Sequence, residues 1–401
     1  MFLRHLKIKS GDSILNANFI KNGFLLLVPG LLSSLAIVFI SSGKWHYIPK
    51  EVSLKLLQLI QFQMLGLTIC KFGIDQTGFA LLYKQPGSTL LIKDLFLKRV
   101  IPLAIVYSVV ISFFVGYLPA LVLCVNLCLE VFSLVVIAEL NIAKGFKKIS
   151  IIMLGGYPLL FAILLSYSLF QIPSIVAICI VFLAASIFKA TASYHLRFKS
   201  ETSVLPILDV YVMFQQFLNY MLFRGDQILI FSALFSAFWF SDNNFSRSSL
   251  VYLTKYPELI NGLLTAVWVL YLPQLTKDFV SSFKLFLRNN KLFLFVLITG
   301  ILSVGIFHYF FGHISYQHPI LLYAIFFLNI ILGIPVNMVT FHLFKEGRVN
   351  KIVQISVSSL LIGLLLFFIS FYFKNSWVFV SIVPCQLLLY LTIFLFWKKK
   401  K

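Results

Sequence analysis

The chain has 401 residues, of which 60% are hydrophobic and only 11% are charged. Soluble proteins have about 25% charged residues, so this composition excludes a set of soluble domains and indicates a polytopic membrane protein. Lys and Arg number 33 against 13 Asp and Glu, which gives a formal net charge of +20. In a membrane protein such an excess sets the topology and contacts anionic headgroups, so we expect no nucleic-acid partner.

Twelve stretches are apolar and long enough, at about 20 residues, to cross a bilayer as helices. They are residues 19–41, 55–83, 100–118, 119–143, 149–169, 173–191, 207–236, 248–272, 291–311, 319–343, 352–373 and 377–397. The division between the third and fourth spans depends on the short segment 116–119 alone. The sequence therefore predicts an all-α membrane protein with about 12 transmembrane helices and no soluble domain.

The positions of the cations predict the orientation. With the N-terminal side taken as inside, 24 of the 33 cations lie in inside segments and 5 in outside loops, and 4 lie within spans. In this assignment Lys189 belongs to an inside segment. Because positive charge is enriched in cytoplasmic loops, both termini are expected in the cytoplasm. The first apolar stretch is too long for a cleaved signal peptide and is expected to serve as an uncleaved anchor.

The polar segment 189–206 divides the spans into two groups of six. We therefore expect two six-helix bundles, residues 1–200 and 201–401, around a central cavity. The second helix of each half has a cation with an acid about one turn later, Lys71 with Asp75 and Lys255 with Glu258. This faint repeat indicates parallel copies related by an axis along the membrane normal.

Eight of the charged side chains inside the predicted spans are the most informative, and each would cost about 2.5–3.5 kcal/mol if it faced lipid at a helix centre. They are Lys21, Lys71, Asp75, Glu130, Arg224, Asp226, Lys255 and Glu258. Most of them must therefore face one another or a water-filled cavity. Two of these pairs, Lys71–Asp75 and Lys255–Glu258, each place a cation and an acid on a single helix face, where the two charges can neutralise one another. Such a pair either stabilises the helix bundle or forms part of a site.

Arg224 and Asp226 are two residues apart, so they diverge by about 200° around a helix and cannot form a local pair. One of them should face the cavity while the other finds a partner on another helix. Glu130 stands alone on its span, with Asn126 one turn away and Ser133 near it. It is either a protonated, hydrogen-bonded core residue or a proton carrier.

The cysteines and prolines in the spans indicate packing and kinks. Cys70, Cys124, Cys128, Cys179 and Cys385 are expected to be small apolar residues, without disulfides or metal. No metal and no cofactor is expected. Prolines lie inside several spans, where they kink helices. Among them are Pro158 directly after Gly155, Gly156 and Tyr157, and also Pro335.

Two stretches resemble a known family. The sequence FRGDQILIF followed by SLVYLTKYPELINGLLTAVWVLYLPQLTK is similar to part of the polysaccharide-biosynthesis flippases, the O-antigen translocases of the multidrug/oligosaccharidyl-lipid/polysaccharide exporter superfamily. Asp226, Tyr252 and Pro273 match the family's Asp, Tyr and Pro there. The second stretch, QMLGLTICKFGIDQTGF, has Gly73 and Asp75 at the family's Gly-x-Asp. The Arg that often follows that Gly-x-Asp in the family is missing.

The resemblance implies a flippase that moves undecaprenyl-diphosphate-linked oligosaccharide across the bacterial inner membrane by alternating access. The diphosphate needs cations in place of its hydration shell. Those available are Arg224, Lys71, Lys255 and Lys21. The sugar needs polar side chains, which are supplied by Gln215, Gln216, Asn219, Tyr220 and Asn261. Candidates for ion or proton coupling are Asp226, Glu130, Glu258 and Asp75. The expected partners are the lipid-linked oligosaccharide, the bilayer, and the polymerase and chain-length proteins of the same pathway.

Two other function classes stay open. A multidrug-type exporter of the same superfamily should have more acids than cations in its cavity, whereas four cations lie within the spans here. A membrane-embedded O-antigen polymerase or glycosyltransferase needs a sizeable external loop. The longest outside loop, residues 42–54, has only about a dozen residues. We therefore expect a transporter and no enzyme.

Overall fold

The computed structural model describes residues 50–71, 88–143, 145–168, 174–197, 203–204, 210–231, 319–346, 348–373 and 375–399, with short pieces and single positions elsewhere (25, 28–33, 35–36, 74, 170, 298 and 302). About 91% of the described structure is helical. This confirms the predicted all-α class.

Five of the described helices are long and apolar enough to cross a membrane. They are Ile92–Val115, Tyr117–Asn141, Phe146–Ser168, Ile175–Leu196 and Val349–Tyr372. Large apolar side chains on their outer faces are exposed, as in Phe113, which is 82% exposed. The structure thus supports a membrane protein. Twelve crossings and two bundles stay predictions, because residues 232–297 and most residues before 50 lie outside the described part.

The first half follows the predicted spans closely. Its elements are α1 (Lys50–Cys70), β1 (Thr89–Leu90), α2 (Ile92–Val115, with a π-helical turn at Phe96–Val100), α3 (Tyr117–Ile142), α4 (Phe146–Leu154), α5 (Tyr157–Ser168) and α6 (Ile175–Leu196). Four helix ends differ from the prediction by five residues or more. Helix α1 begins at Lys50 and ends at Cys70, against the predicted 55–83, and Ile74 beyond it is again helical. Helix α2 begins at Ile92, before residue 100, and α6 continues to Leu196, past residue 191.

The second half is described in two parts. Its elements are β2 (Ser203–Val204), α7 (Val210–Phe231), α8 (Pro319–Lys345), α9 (Val349–Tyr372), α10 (Ser376–Val380) and α11 (Ile382–Lys399). Helices α7, α8 and α9 each match one predicted span, and α10 with α11 matches the last. The predicted spans 248–272 and 291–311 lie outside the described residues, apart from positions 298 and 302.

Glycines divide the apolar helices. Gly116 separates α2 from α3 with φ 88° and ψ 166°, a conformation that only glycine adopts readily. Gly155 and Gly156 form a turn between α4 and α5, and Pro158 then occupies the second position of α5, where a proline needs no helical N–H partner. By contrast, α8 continues through Pro335.

A two-residue parallel strand pair, which the all-α prediction did not include, connects the segment before α2 with the segment before α7. Thr89 pairs with Ser203, and Leu90 pairs with Val204. A pairing this short has no hydrophobic alternation, so no sequence pattern indicates it. It brings together two connections that are more than 100 residues apart in the chain.

Helix α3 lies at the centre of the first half, where it packs against α1, α2, α4 and α6. Gly66 on α1 allows this close approach, since a Cβ atom there would lie 2.6 Å from Tyr107 Cε1 and 2.8 Å from Leu127 Cδ1. Helix α7 packs against α1 from the first half and against α9 and α11 from the second. Helix α7 therefore contacts described helices of both halves of the chain.

Candidate functional site

Helix α7 has polar side chains buried among apolar helices. Gln215 is fully buried, and neither its Nε2 nor its Oε1 atom has a hydrogen-bond partner among the described residues. Asn219 lies one turn further along the same helix, and its Oδ1 atom is likewise buried without a partner among them. A buried amide without a partner costs free energy, so such groups mark a place for water or a ligand. Both residues were predicted to bind substrate.

The predicted cations are only partly described. Arg224 and Asp226 lie in α7, but their side chains are outside the described residues. Lys71 directly follows the end of α1 and is half-buried. Lys21, Lys255, Glu258 and Asp75 lie outside the described residues, so the two predicted cation–acid pairs and the grouping of these cations stay predictions.

Glu130 does not stand alone, contrary to the prediction. Its Oε2 atom accepts a hydrogen bond from Lys189 Nζ at 2.5 Å, in an ion pair whose side chains are 9% and 14% exposed. The assignment of Lys189 to an inside segment was therefore wrong. Lys189 lies within α6, and its ammonium group turns inward to α3 because a single buried carboxylate attracts the nearest available cation.

A chain of polar side chains extends from this pair across the first half. Ser186 Oγ donates to Asn126 Oδ1 at 2.6 Å and is 3.5 Å from Glu130 Oε1. Gln63 Nε2 donates to the same Asn126 oxygen at 3.3 Å, and Tyr157 Oη donates to Gln63 Oε1 at 3.2 Å. The network therefore connects α1, α3 and α6 with Tyr157, the first residue of α5. We refer to these residues, with Lys189, as the polar network.

One group of the polar network has no partner. Asn126 is fully buried, and its Nδ2 atom, which has two N–H donors, makes no hydrogen bond with the described residues. The other end of the same amide contacts Ser186 Oγ and the Gln63 amide, and both of these partners can donate or accept. In either orientation the Asn126 amide keeps one buried polar atom without a partner among the described residues.

A second ion pair, between Glu139 and Arg197, lies where α3 and α6 end. Arg197 Nε lies 2.8 Å from Glu139 Oε2, and Arg197 Nη2 lies 2.7 Å from Glu139 Oε1. The Leu90 N–H donates to the same carboxylate at 2.8 Å, and Arg197 Nη2 also donates to the Leu90 carbonyl at 2.9 Å. The pair therefore fixes the short strand β1 and is fully hydrogen-bonded.

Sequence reasoning missed Glu139, although it lies within the predicted span 119–143. An acid inside an apolar span needs a cation at the same depth on a neighbouring helix, and that requirement was a usable signal. Arg197 is 58 residues away, so no local spacing could identify it. Among the described residues no group of three His, Cys, Asp or Glu could hold a metal ion, and all five cysteines are free.

Chemically, the first half thus presents two buried ion pairs of different kinds. The Glu139–Arg197 pair is bidentate and also bonded to the backbone of Leu90. The Glu130–Lys189 pair has one contact, and Asn126 one turn away has a buried amide atom without a partner among the described residues. Comparison of the chain with protein-family models, with curated proteins and with solved structures finds no match.

Proposed function

We propose that this chain is a flippase that translocates undecaprenyl-diphosphate-linked oligosaccharide across the bacterial inner membrane by alternating access. In this proposal twelve helices form two six-helix bundles, residues 1–200 and 201–401, with both termini in the cytoplasm. The resemblance of two stretches to the polysaccharide-biosynthesis flippases supplies the substrate class. The physical requirement is a polar cavity between the bundles that replaces the hydration of a sugar and a diphosphate.

The observation that supports the proposal best is on α7. This helix lies between α1 of the first half and α9 and α11 of the second, and both amide atoms of Gln215 and the Oδ1 atom of Asn219 are buried without partners among the described residues. Transporters of this architecture bind substrate where their two halves meet. Amides there can bind sugar hydroxyl groups, because each has both donors and acceptors.

The diphosphate in this proposal is bound by Arg224, on the same helix, with Lys71, Lys255 and Lys21. Position 224 is one turn beyond Tyr220 in α7, and Lys71 follows the end of α1, which packs against α7. Asp226, Glu130, Glu258 and Asp75 are the proposed groups for ion or proton coupling. Among them, Glu130 is paired with Lys189.

The test is export of the oligosaccharide in cells that lack the gene and express variants from a plasmid. Arg224→Ala and Gln215→Leu should abolish surface polymer and cause the lipid-linked unit to accumulate, at normal protein level on an immunoblot. Lys98→Ala is the matched control, since Lys98 is a cation with a 70% exposed side chain on α2, and it should export normally. Normal polymer from Arg224→Ala would overturn the assignment. Resistance to small lipophilic compounds on overexpression, with no effect on polymer, would instead support the exporter alternative.

A further inference from the structure

The Glu130–Lys189 pair lies against the break between α4 and α5. A Cβ atom placed on Gly155 would lie 3.2 Å from Lys189 Cα, and one on Gly156 would lie 3.9 Å from Lys189 Nζ. Helix α6 therefore passes directly across the two glycines. The ammonium group of Lys189 lies next to the residue that precedes α5.

The break between α4 and α5 lies inside the segment Phe146–Ser168, which is long and apolar enough to cross a membrane. Backbone that leaves the helix inside a membrane is tolerated where it lines a polar site, because its N–H and C=O groups need partners there. The C-terminus of α4 and the N-terminus of α5 meet at this break, so their partial charges oppose one another there. Lys189 is therefore the principal positive charge beside the two glycines.

The hydrogen bonds of Glu130 and Lys189 indicate how firmly the carboxylate is held. Lys189 has three N–H donors, and Glu130 Oε2 takes one of them. Asn126, one turn from Glu130 on α3, has one buried amide atom without a partner among the described residues. Ser186 Oγ lies 2.6 Å from the Asn126 amide and 3.5 Å from Glu130 Oε1, so its contact with the carboxylate is much longer than that of Lys189. The carboxylate is therefore held mainly by Lys189 and can be replaced there.

We infer that the Glu130–Lys189 pair is an anion-exchange site, in which a phosphate or diphosphate group of the substrate displaces the Glu130 carboxylate from Lys189. The incoming oxygens bind the Lys189 ammonium in place of the Glu130 carboxylate. Glu130 is the internal counter-ion that holds Lys189 when no anion is bound. This inference rests on the proposed function for the substrate class, and it adds Lys189 as a binding residue in the first half.

The Glu139–Arg197 pair does not have this property. Its carboxylate receives three short hydrogen bonds, including one from the Leu90 backbone, and Arg197 is also bonded to the Leu90 carbonyl. It therefore offers a matched control, because Glu139 and Glu130 both lie on α3 and each pairs with a cation of α6 or of its C-cap, whereas the two carboxylates differ in how many hydrogen bonds hold them.

The test measures binding of inorganic pyrophosphate to the purified full-length protein in detergent by isothermal titration calorimetry at constant ionic strength. Glu130→Gln removes the competing carboxylate and should tighten binding on the order of 10–100-fold, while Lys189→Gln should weaken it by a similar factor. Lys189→Arg should keep wild-type binding within about threefold. Glu139→Gln should bind pyrophosphate as the wild type does.

A second series replaces pyrophosphate by undecaprenyl diphosphate in mixed micelles, and a third uses phosphatidylglycerol. Opposite effects of Glu130→Gln and Lys189→Gln for pyrophosphate and undecaprenyl diphosphate support a substrate site. The same effects with phosphatidylglycerol alone would identify a lipid headgroup as the anion and overturn the substrate assignment. Equal affinity of Glu130→Gln and wild type for all three probes would overturn the inference.

Folding of each variant is checked by a monodisperse gel-filtration peak. If Lys189→Gln aggregates, the gain expected for Glu130→Gln decides the question alone, because a purely structural ion pair gives no gain in affinity. The proposed function is tested separately by export in Arg224→Ala. The export test can therefore support the flippase while the pyrophosphate test overturns the anion-exchange site. Pyrophosphate can likewise bind as expected while the export test overturns the flippase.

Discussion

Arg197 and Glu139 form a two-contact ion pair, with 2.8 Å between Arg197 Nε and Glu139 Oε2 and 2.7 Å between Arg197 Nη2 and Glu139 Oε1. The side chain of Glu139 is fully buried, and that of Arg197 is 24% exposed. Through Leu90 the pair fixes β1, which is bonded to β2 just before α7. The connection from the first half to α7 is therefore attached to α3.

Removal of one partner of this pair should destabilise the protein. Glu139→Gln leaves the Arg197 guanidinium without its counter-ion, and Arg197→Gln leaves a buried carboxylate, so each should lower the free energy of unfolding by about 3–5 kcal/mol. The smaller loss is expected for Glu139→Gln, because the partially exposed Arg197 can reach solvent. Unfolding by sodium dodecyl sulfate in mixed micelles measures the difference.

The double variant Glu139→Leu/Arg197→Met is the control for this pair. Apolar side chains of similar volume remove both charges, so stability should return to within about 2 kcal/mol of the wild type. Single variants with wild-type stability would mean that the pair contributes nothing, and a double variant less stable than both singles would contradict the electrostatic explanation.

Gly66 should not accept a methyl group. The Cβ atom of Gly66→Ala would meet Tyr107 at 2.6 Å and Leu127 at 2.8 Å, so helices α1, α2 and α3 would have to separate. We expect a loss of about 1–3 kcal/mol in the free energy of unfolding. Gly333→Ala on α8 is the matched control, since its Cβ would lie 3.5 Å from Phe223, an ordinary contact, and alanine favours helix by about 1 kcal/mol. Equal effects of the two substitutions would contradict the packing described for α1.

The sequence predicts the helices well because an apolar length of about 20 residues is a local property. The division at residues 116–119 was found from one glycine and one proline, and the structure places it at Gly116. The kink expected at Pro158 is a complete break at Gly155 and Gly156. The end of α1 at Cys70 was not predicted, although polar residues and glycines follow directly, among them Lys71, Gly73 and Asp75.

The partners of the buried charges could not be predicted in the same way. Local spacing suggested Lys71–Asp75, whereas the pairs that the structure describes, Glu130 with Lys189 and Glu139 with Arg197, join residues 59 and 58 positions apart. Which faces of two helices meet depends on packing, and a single sequence contains no direct record of it. The amides of α7 were identified from their residue types, since glutamine and asparagine in a span are costly whatever their neighbours.

We expect every substitution of Gly116 to lower the stability of the protein, because of the backbone conformation at this position. Nothing lies within 4 Å of a Cβ atom at this position, so a substitution meets no neighbour. Its φ of 88° and ψ of 166° nevertheless fall in a region that only glycine occupies, and any other residue costs about 1–3 kcal/mol there. Gly116→Ala and Gly116→Asn should therefore destabilise the α2–α3 hairpin equally in thermal unfolding. A near-neutral Gly116→Asn would indicate an ordinary left-handed helix cap, which asparagine tolerates, and would contradict this backbone geometry.

The proposed topology predicts which sites a membrane-impermeant maleimide reaches in intact cells. In a variant whose five cysteines are replaced by alanine, Phe170→Cys and Phe373→Cys should be labelled from outside, because both side chains are exposed (86% and 69%) beyond the ends of α5 and α9. Lys147→Cys, an exposed position at the start of α4, should be labelled only after permeabilisation. The chain between residues 170 and 373 must cross the membrane an even number of times for the first two sites to share a side. Labelling of Phe170→Cys from outside and of Phe373→Cys only from inside would therefore show an odd number of crossings in that interval and exclude the twelve-helix arrangement.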